Sequence, residues 1–300
     1  MVRLMSDIFG RTYNLQITTV DGTVVTCEPP TQIRFMITNM PENQVATAQI
    51  TLYGISAEYR ALMQRFDEQK QRYGTVKLSA GYDSSSGEIY SGQINSVEIG
   101  RDGVSVYIRL NCWSIDTWRD AVIGKTWGEK TPVADVLRDV AATFELPVEM
   151  IGDFSGLPAF QQGFTLAFTS SRDFLNSRQS EWGYSWYITT SRVTIVKSGA
   201  SRAITHEISS ENGMEGMPRW YQTDMEVDVR LDHTIQPGDI IKVSSDFWTI
   251  SYSGMYQTGL NNKADRQRRE GKFRVLATSH VGDYWGDLWT TTTRCLWDSQ

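Results

Sequence analysis

Gly74-Thr-Val-Lys-Leu-Ser-Ala-Gly-Tyr82, followed by Tyr90-Ser-Gly-Gln-Ile94 and Ile108-Arg-Leu-Asn-Cys112, has a counterpart near the end of the chain. There the sequence runs Gly238-Asp-Ile-Ile-Lys-Val243, Gly271-Lys-Phe-Arg-Val-Leu276 and Thr292-Thr-Arg-Cys295. Each copy reads as a strand opening on glycine, a turn, and a strand pair closing on cysteine. Laying Gly92 on Gly271 brings Cys112 and Cys295 within about four residues of register, a difference that a hairpin turn absorbs. Two like β-modules in one chain can stand as neighbours in a ring, which calls for repeated surfaces rather than a single reactive site.

The surroundings of both copies alternate with period two. Tyr13–Thr18, Gln32–Ile37, Ala46–Tyr53, Val76–Ala80 and Val104–Leu110 lie between turns such as Asp21-Gly22 and Asp102-Gly103, and predict antiparallel strands with one buried face. A barrel is expected here, flanked by one helix capped by Ser56, with Ile55, Tyr59, Leu62, Met63 and Phe66 as its apolar stripe. After Trp118 the period changes. Thr131 is expected to cap a helix with Pro132 in its first position and Val133, Val136, Leu137, Val140 and Phe144 as its stripe. A second helix starts at Ser170-Ser-Arg-Asp173 and stops at Gly183, and a hairpin follows over Ser185–Thr189 and Arg192–Val196. From Met225 alternation returns in Glu226–Leu231, Ile240–Val243, Trp248–Tyr252, Phe273–Leu276 and Leu288–Cys295. The polar stretch between Tyr252 and Gly271 reads as a long hairpin loop, and loops of this length tend to be functional or disordered.

The expected fold class is therefore mainly β with an α+β middle segment: two antiparallel β-barrel modules separated by an α/β domain. The boundaries fall at 1–118, 119–212 and 213–300. A chain of 300 residues with 40% hydrophobic and 21% charged residues has room for such cores. A net charge of -6 argues against a groove that grips phosphates. Cys27, Cys112 and Cys295 are odd in number and far apart, which predicts buried, reduced thiols and a cytoplasmic setting. The first ten residues lack a signal-peptide core, and no run approaches the ~18 apolar residues of a membrane span.

Candidate chemistry is sparse. His206, His233 and His280 have no second His or Cys at metal-ligand spacing. His280-Val-Gly-Asp283-Tyr-Trp-Gly-Asp287 holds an imidazole and two carboxylates, but its Gly-Asp repeats read better as turn chemistry. Asp83-Ser-Ser-Ser-Gly-Glu88 is too short for a calcium loop of the helix-loop-helix kind. Glu145, Glu149 and Asp153 could serve a cell-wall hydrolase. Trp285, Trp289 and Trp297 could form a sugar platform, although core or interface packing is the plainer reading. No nucleophile elbow, phosphate loop or dinucleotide fingerprint is present. No catalytic, cofactor-binding or metal residue is therefore assigned.

Taken together the segments resemble a baseplate hub protein of contractile-tailed bacteriophages, similar to the late-control family and to the base of the type VI secretion spike. The resemblance rests on Ala80-Gly-Tyr82 with Ile89-Tyr-Ser-Gly-Gln-Ile94, and on Phe174-Leu through Glu181-Trp-Gly-Tyr-Ser-Trp186. It rests most on Ser210-Glu-Asn-Gly-Met-Glu-Gly-Met-Pro218, followed by Leu231 and Gln236-Pro-Gly-Asp239. The sequence departs from the family pattern at Thr190-Ser191, where Asn-Gly is usual. The resemblance implies a non-enzymatic virion protein, assembled in the host cytoplasm as a homotrimer. Its two tube-like barrels per chain would make a pseudo-six-fold ring joining the six-fold tail tube to the three-fold central spike, around a channel for tape-measure protein and DNA. Edge strands are expected to close the ring, and Tyr256, Asn261, Arg266, Arg268 and Arg269 to contact a neighbouring tail component. A tail-associated peptidoglycan hydrolase and a carbohydrate-binding tail protein are the alternatives.

Overall fold

The computed structural model describes residues 10–39, 45–69, 72–114, 121–189, 192–221, 224–247, 249–250 and 270–297. The chain is mainly β with antiparallel sheets, and it divides into two compact units. One unit combines residues 1–39, 47–113 and 203–300; the other combines 40–46 with 114–202.

The first unit opens with β1 (Arg11–Thr18), β2 (Val24–Cys27), β3 (Ile33–Asn39) and β4 (Thr47–Tyr53). Helix α1 (Ala57–Met63), β5 (Thr75–Tyr82), β6 (Ser85–Asp102) and β7 (Ser105–Trp113) follow. Alternate residues point inward, so Leu15, Ile17, Ile33, Phe35, Ile37, Ile50, Leu52, Val76, Leu78, Ile108 and Leu110 are buried. Ser56 caps α1 by accepting from the Tyr59 amide, as expected. The expected stripe is not buried, however: Met63 is, whereas Tyr59 and Phe66 are exposed. Seven residues make only two turns, too short for one face to stay against the sheet.

The second unit contains β8 (Val122–Trp127), β9 (Thr131–Pro132), α2 (Val133–Ala142) and β10 (Val148–Ile151). It continues with β11 (Ala159–Phe160), β12 (Phe164–Ser170), α3 (Ser171–Trp182), β13 (Tyr184–Ile188) and β14 (Val193–Lys197). Val133, Val136, Leu137, Val140 and Phe144 bury the predicted face of α2 in a core with Phe174, Leu175 and Trp186. Phe144 stacks on Trp186 at 5.5 Å. Thr131 is not the cap of α2. It and Pro132 pair with β11, its hydroxyl donates to the Gly128 carbonyl at 2.8 Å, and Pro132 stands at the cap without a side-chain bond. Helix α3 is bounded as predicted, by Ser170 at its start and by Gly183 in the left-handed region at φ 60°. Strands β13 and β14 form the expected hairpin, and β10 adds to it in parallel.

Returning to the first unit, the chain adds β15 (Thr205–Ile208), β16 (Met214–Trp220), β17 (Asp224–Arg230) and β18 (Ile240–Ser244). It ends with β19 (Thr249–Ile250), β20 (Glu270–Asp283) and β21 (Trp289–Trp297). Met225, Val227, Val229, Ile241, Val243, Phe273, Val275 and Cys295 form the core of this strand set. All three cysteines are free and buried. Burial pushes the Cys27 thiol up to about 11 and Cys295 up to about 12, so both stay protonated.

The two strand sets share one pairing order. In the first, β3 pairs β4, β4 pairs β7, β7 pairs β6 and β6 pairs β5. In the second, β16 pairs β17, β17 pairs β21, β21 pairs β20 and β20 pairs β18, all antiparallel. Each long strand carries a register shift at the same place, between Ile94 and Ser96 in β6 and between Val275 and Ala277 in β20. Cys112 stands opposite Ile94 and Cys295 opposite Val275. The correspondence thus lays Ile94 on Val275, two residues away from the Gly92-on-Gly271 alignment. The shared shift, not the glycines, fixes it.

Candidate functional site

The two strand sets meet where β20 leaves β18 and pairs with β3, from Thr278 opposite Asn39 to Asp283 opposite Arg34. A single sheet runs through this seam. Near its far end Gly282 stands opposite Phe35, and a Cβ there would lie 2.2 Å from the Phe35 ring. Only glycine admits the ring at that approach. Phe35 packs edge-on against Trp289 at 5.2 Å, and the buried Trp289 indole donates to the Gly81 carbonyl at 2.9 Å. His233 packs likewise on Gly87, whose Cβ would lie 2.2 Å from the imidazole.

The turn after β20 is held by residues of the first strand set. Gln32 Nε2 donates to Asp283 Oδ1 at 2.6 Å and Arg34 Nε to Oδ2 at 2.8 Å. Burial opposes ionisation of Asp283, but these two donors outweigh it and hold the carboxyl below its ordinary value. The Arg11 guanidinium donates to the carbonyls of Asp283, Gly286 and Asp287 and lies 5.8 Å from the Trp289 ring. Trp285 donates from its indole to the Pro30 carbonyl at 3.1 Å, and Tyr284 packs edge-on against Tyr13 at 5.5 Å.

From this seam a polar face spreads across the sheet. Asp283, Arg34, Thr51, Arg109 and Glu98 stand opposite one another on β20, β3, β4, β7 and β6. Arg109 Nη1 donates to Glu98 Oε2 at 3.0 Å. In the neighbouring row Gln49 donates to Asn111 at 3.2 Å, and Asn111 to Ser96 at 3.0 Å. On the second strand set Arg219 binds Asp228 at 2.6 Å, Thr292 donates to the same carboxylate at 2.7 Å, and Arg294 binds Asp224. Exposed pairs of this kind add only ~0.2 to 1 kcal/mol each to stability. Their larger consequence is chemical, since many of the face's charges are already answered within the sheet.

A family model described as "Baseplate hub gp41" matches residues 14–251. The chain belongs to this baseplate hub family. A hub protein of this family is a structural component of the virion tail. No curated protein sequence matches the chain. Among solved structures, this hub protein is similar to a tail protein from Neisseria meningitidis MC58, with TM-score 0.59 at 10% identity over 97% of each chain. It is similar at TM-score 0.59 and 10% identity to the 43 kDa tail protein of prophage MuSo2 from Shewanella oneidensis, over 96% of this chain and 97% of that one. The E. coli c3393 protein, described as a component of the type VI secretion system, matches at TM-score 0.54 and 9% identity, over 90% of this chain and 75% of that one. At these identities the likeness is one of fold.

The remaining candidate residues of the hub protein have local explanations. Glu149 is held by Arg192 and Arg202, at 3.2 and 2.9 Å, and Asp153 accepts from the Ser155 amide at 2.8 Å. His280 is buried and bonded to Thr291 Oγ1 at 2.8 Å. His206 pairs with the buried Asp239 at 3.1 Å. Asp283 and Gly286 form the turn that the Gly-Asp pattern implied, and Trp289 packs inside the seam. Tyr256, Asn261, Arg266, Arg268 and Arg269 lie outside the described residues. Among the described residues no cluster of three His, Cys, Asp or Glu could hold a metal, and no helix is long and apolar enough to cross a membrane. Sequence reasoning missed Arg11, Gln32 and Arg34, whose partners lie about 250 residues away and leave no local signal.

Proposed function

We propose that three copies of this hub protein form a ring in which each chain supplies two tube-like barrels, over 1–118 and 213–300, separated by an α/β domain over 119–212. The ring joins the six-fold tail tube to the three-fold central spike and passes tape-measure protein and DNA through its channel. Assembly takes place in the host cytoplasm. The observation that carries this reading is the shared wiring of the two strand sets, down to the matching register shifts and cysteines. Two like units in each of three chains make six, which is the match a six-fold to three-fold junction needs. The self-paired charges of the sheet face suit a wall past which a charged polymer slides. The stretch with Tyr256, Asn261, Arg266, Arg268 and Arg269 contacts a neighbouring tail component.

Light scattering with negative-stain imaging tests the reading. A particle of three chains with a ring outline is expected, alone or with tube and spike proteins. A monomer under both conditions overturns it.

A further inference from the structure

Asn212-Gly213 is the only Asn-Gly pair in the chain, and it lies in the turn over 209–213 that joins β15 to β16. The Ser209 carbonyl closes this turn, accepting from the Asn212 amide at 3.0 Å and from the Met214 amide at 2.9 Å. The Gly213 amide between them makes no hydrogen bond among the described residues, and neither does the exposed side chain of Asn212. Gly213 stands at φ 91°, and a Cβ there would meet nothing nearer than 4.0 Å. Glycine is thus required by the backbone conformation and not by crowding. An unengaged nitrogen with no Cβ beside it follows directly on an unengaged side-chain amide, in contact with water.

We propose that Asn212 is a self-modification site, where the side-chain amide is exchanged for a carboxylate by way of a cyclic imide closed by the Gly213 nitrogen. The Gly213 nitrogen attacks Asn212 Cγ. A bond forms between them, the bond from Cγ to Nδ2 breaks, and the Gly213 amide proton leaves with that nitrogen as ammonia. Water then adds to one of the two imide carbonyls. Opening on the side-chain side restores the main chain as aspartate, and opening on the main-chain side gives isoaspartate. The sum is asparagine plus water going to an acid plus ammonia, with no oxidant, metal or second protein required.

The fold sets this site apart from its rivals. Asn176-Ser177 lies within α3, and Asn176 Oδ1 accepts from the Trp186 indole at 3.0 Å and from Gln179 at 3.2 Å. Asn95-Ser96 lies within β6, where the following residue carries a Cβ and the backbone is a strand's. Asp21-Gly22 could close the same ring, but the Gly22 amide already donates to the Thr19 carbonyl at 2.9 Å. Hydrogen bonds from Thr19 and Thr23 also hold the Asp21 carboxyl well below its ordinary value, and a carboxylate resists such attack. At Asn212 the product places a carboxylate between Glu211 and Glu215 in a chain whose net charge is already -6. Isoaspartate also adds a methylene to the main chain between the buried Ile208 and Met214, which stands opposite Val229. The bonds at risk are the two to Ser209 and that from the Arg230 amide to the Gly213 carbonyl at 2.9 Å. The entry into β16 therefore changes with the age of the protein.

The test is ageing of the folded full chain in warm, mildly alkaline buffer, followed by peptide mapping. The peptide bearing Asn212 should gain about 1 Da and split into two species, one of them labelled by an isoaspartate-specific methyltransferase. On ion exchange the intact protein should move to a more acidic position. Ageing in water labelled with heavy oxygen should place one labelled oxygen in the product. Asn212→Gln should abolish the gain in that peptide, because its longer side chain closes the ring poorly, and Gly213→Ala should slow it. Chain denatured in urea and aged alongside serves as the reference. An Asn212 that stays intact in the folded chain, whether or not the denatured chain converts, overturns the proposal. Equal conversion at Asn95 or Asn176 in the folded chain overturns it as well, since the fold would then confer no selectivity.

Discussion

Replacing Gly282 with alanine puts one methyl group into the seam, and its cost can be worked from the packing. The new Cβ would lie 2.2 Å from the Phe35 ring, well inside contact distance. Phe35 has little freedom to retreat, because it is 3% exposed and its ring abuts Trp289 at 5.2 Å. Overpacking a rigid site of this kind costs ~1 to 3 kcal/mol. Alanine recovers ~0.5 to 1 kcal/mol through the smaller conformational entropy of its unfolded chain. The net expectation is a loss of ~1 to 2 kcal/mol. With a urea slope of ~3 kcal/mol/M, that lowers the midpoint of the transition reporting this unit by about 0.5 M. Phe35→Leu destabilises on its own by trimming a buried ring, but it opens the space that the new methyl group needs. The double variant should therefore lose at least ~0.5 kcal/mol less than the sum of the singles, the signature of residues in contact. A neutral Gly282→Ala, or strict additivity with Phe35→Leu, would refute the seam packing described above.

Three further outcomes are expected. Burial pushes the His280 imidazole down to about 4, against ~6.5 in an unfolded chain, so the folded protein holds it neutral and its contribution is full above pH ~6.5. That contribution is lost as pH falls toward 4; urea midpoints between pH 7 and 4 should decline, and His280→Gln should flatten the decline. Gly183→Ala should cost ~1 kcal/mol in thermal or urea unfolding of the second unit, because the residue ends α3 at φ 60°. Replacing Arg266, Arg268 and Arg269 together with alanine should leave the circular dichroism spectrum and unfolding midpoint unchanged while impairing assembly with tail partners; normal virion assembly would remove that proposed role.

The strands and the helix faces were legible in the sequence wherever a local period expresses burial. β17 alternates without a break, and Val133, Val136, Leu137, Val140 and Phe144 bury as their spacing implies. Ser170 and Gly183 bound α3 because both act through backbone groups within three or four residues. Thr131 misled, since a threonine before Pro132 matches a cap pattern while its backbone was needed by β11. The Tyr59 and Phe66 stripe misled because spacing records which residues could share a face, not whether a surface lies opposite. The repeat was visible through its cysteines, but its register was not, because the shifts at Ile94 and Val275 insert residues that no composition marks. The seam left almost no trace. Gly282, Asp283 and Trp289 were noticed as turn or core residues, but Arg11, Gln32 and Arg34 acquire their roles only by pairing across the whole chain.

The joint between β3 and β20 differs from any joint between copies in one respect that dilution reveals. Its two halves are tethered by the same chain, so they meet at an effective concentration of the order of mM however little protein is present. A joint between copies has no such reserve and weakens as the protein is diluted. In a three-chain ring, three of the six junctions would already be closed, one inside each newly folded monomer. Only three encounters would remain to be found, and the seam would survive as the building block when the ring came apart.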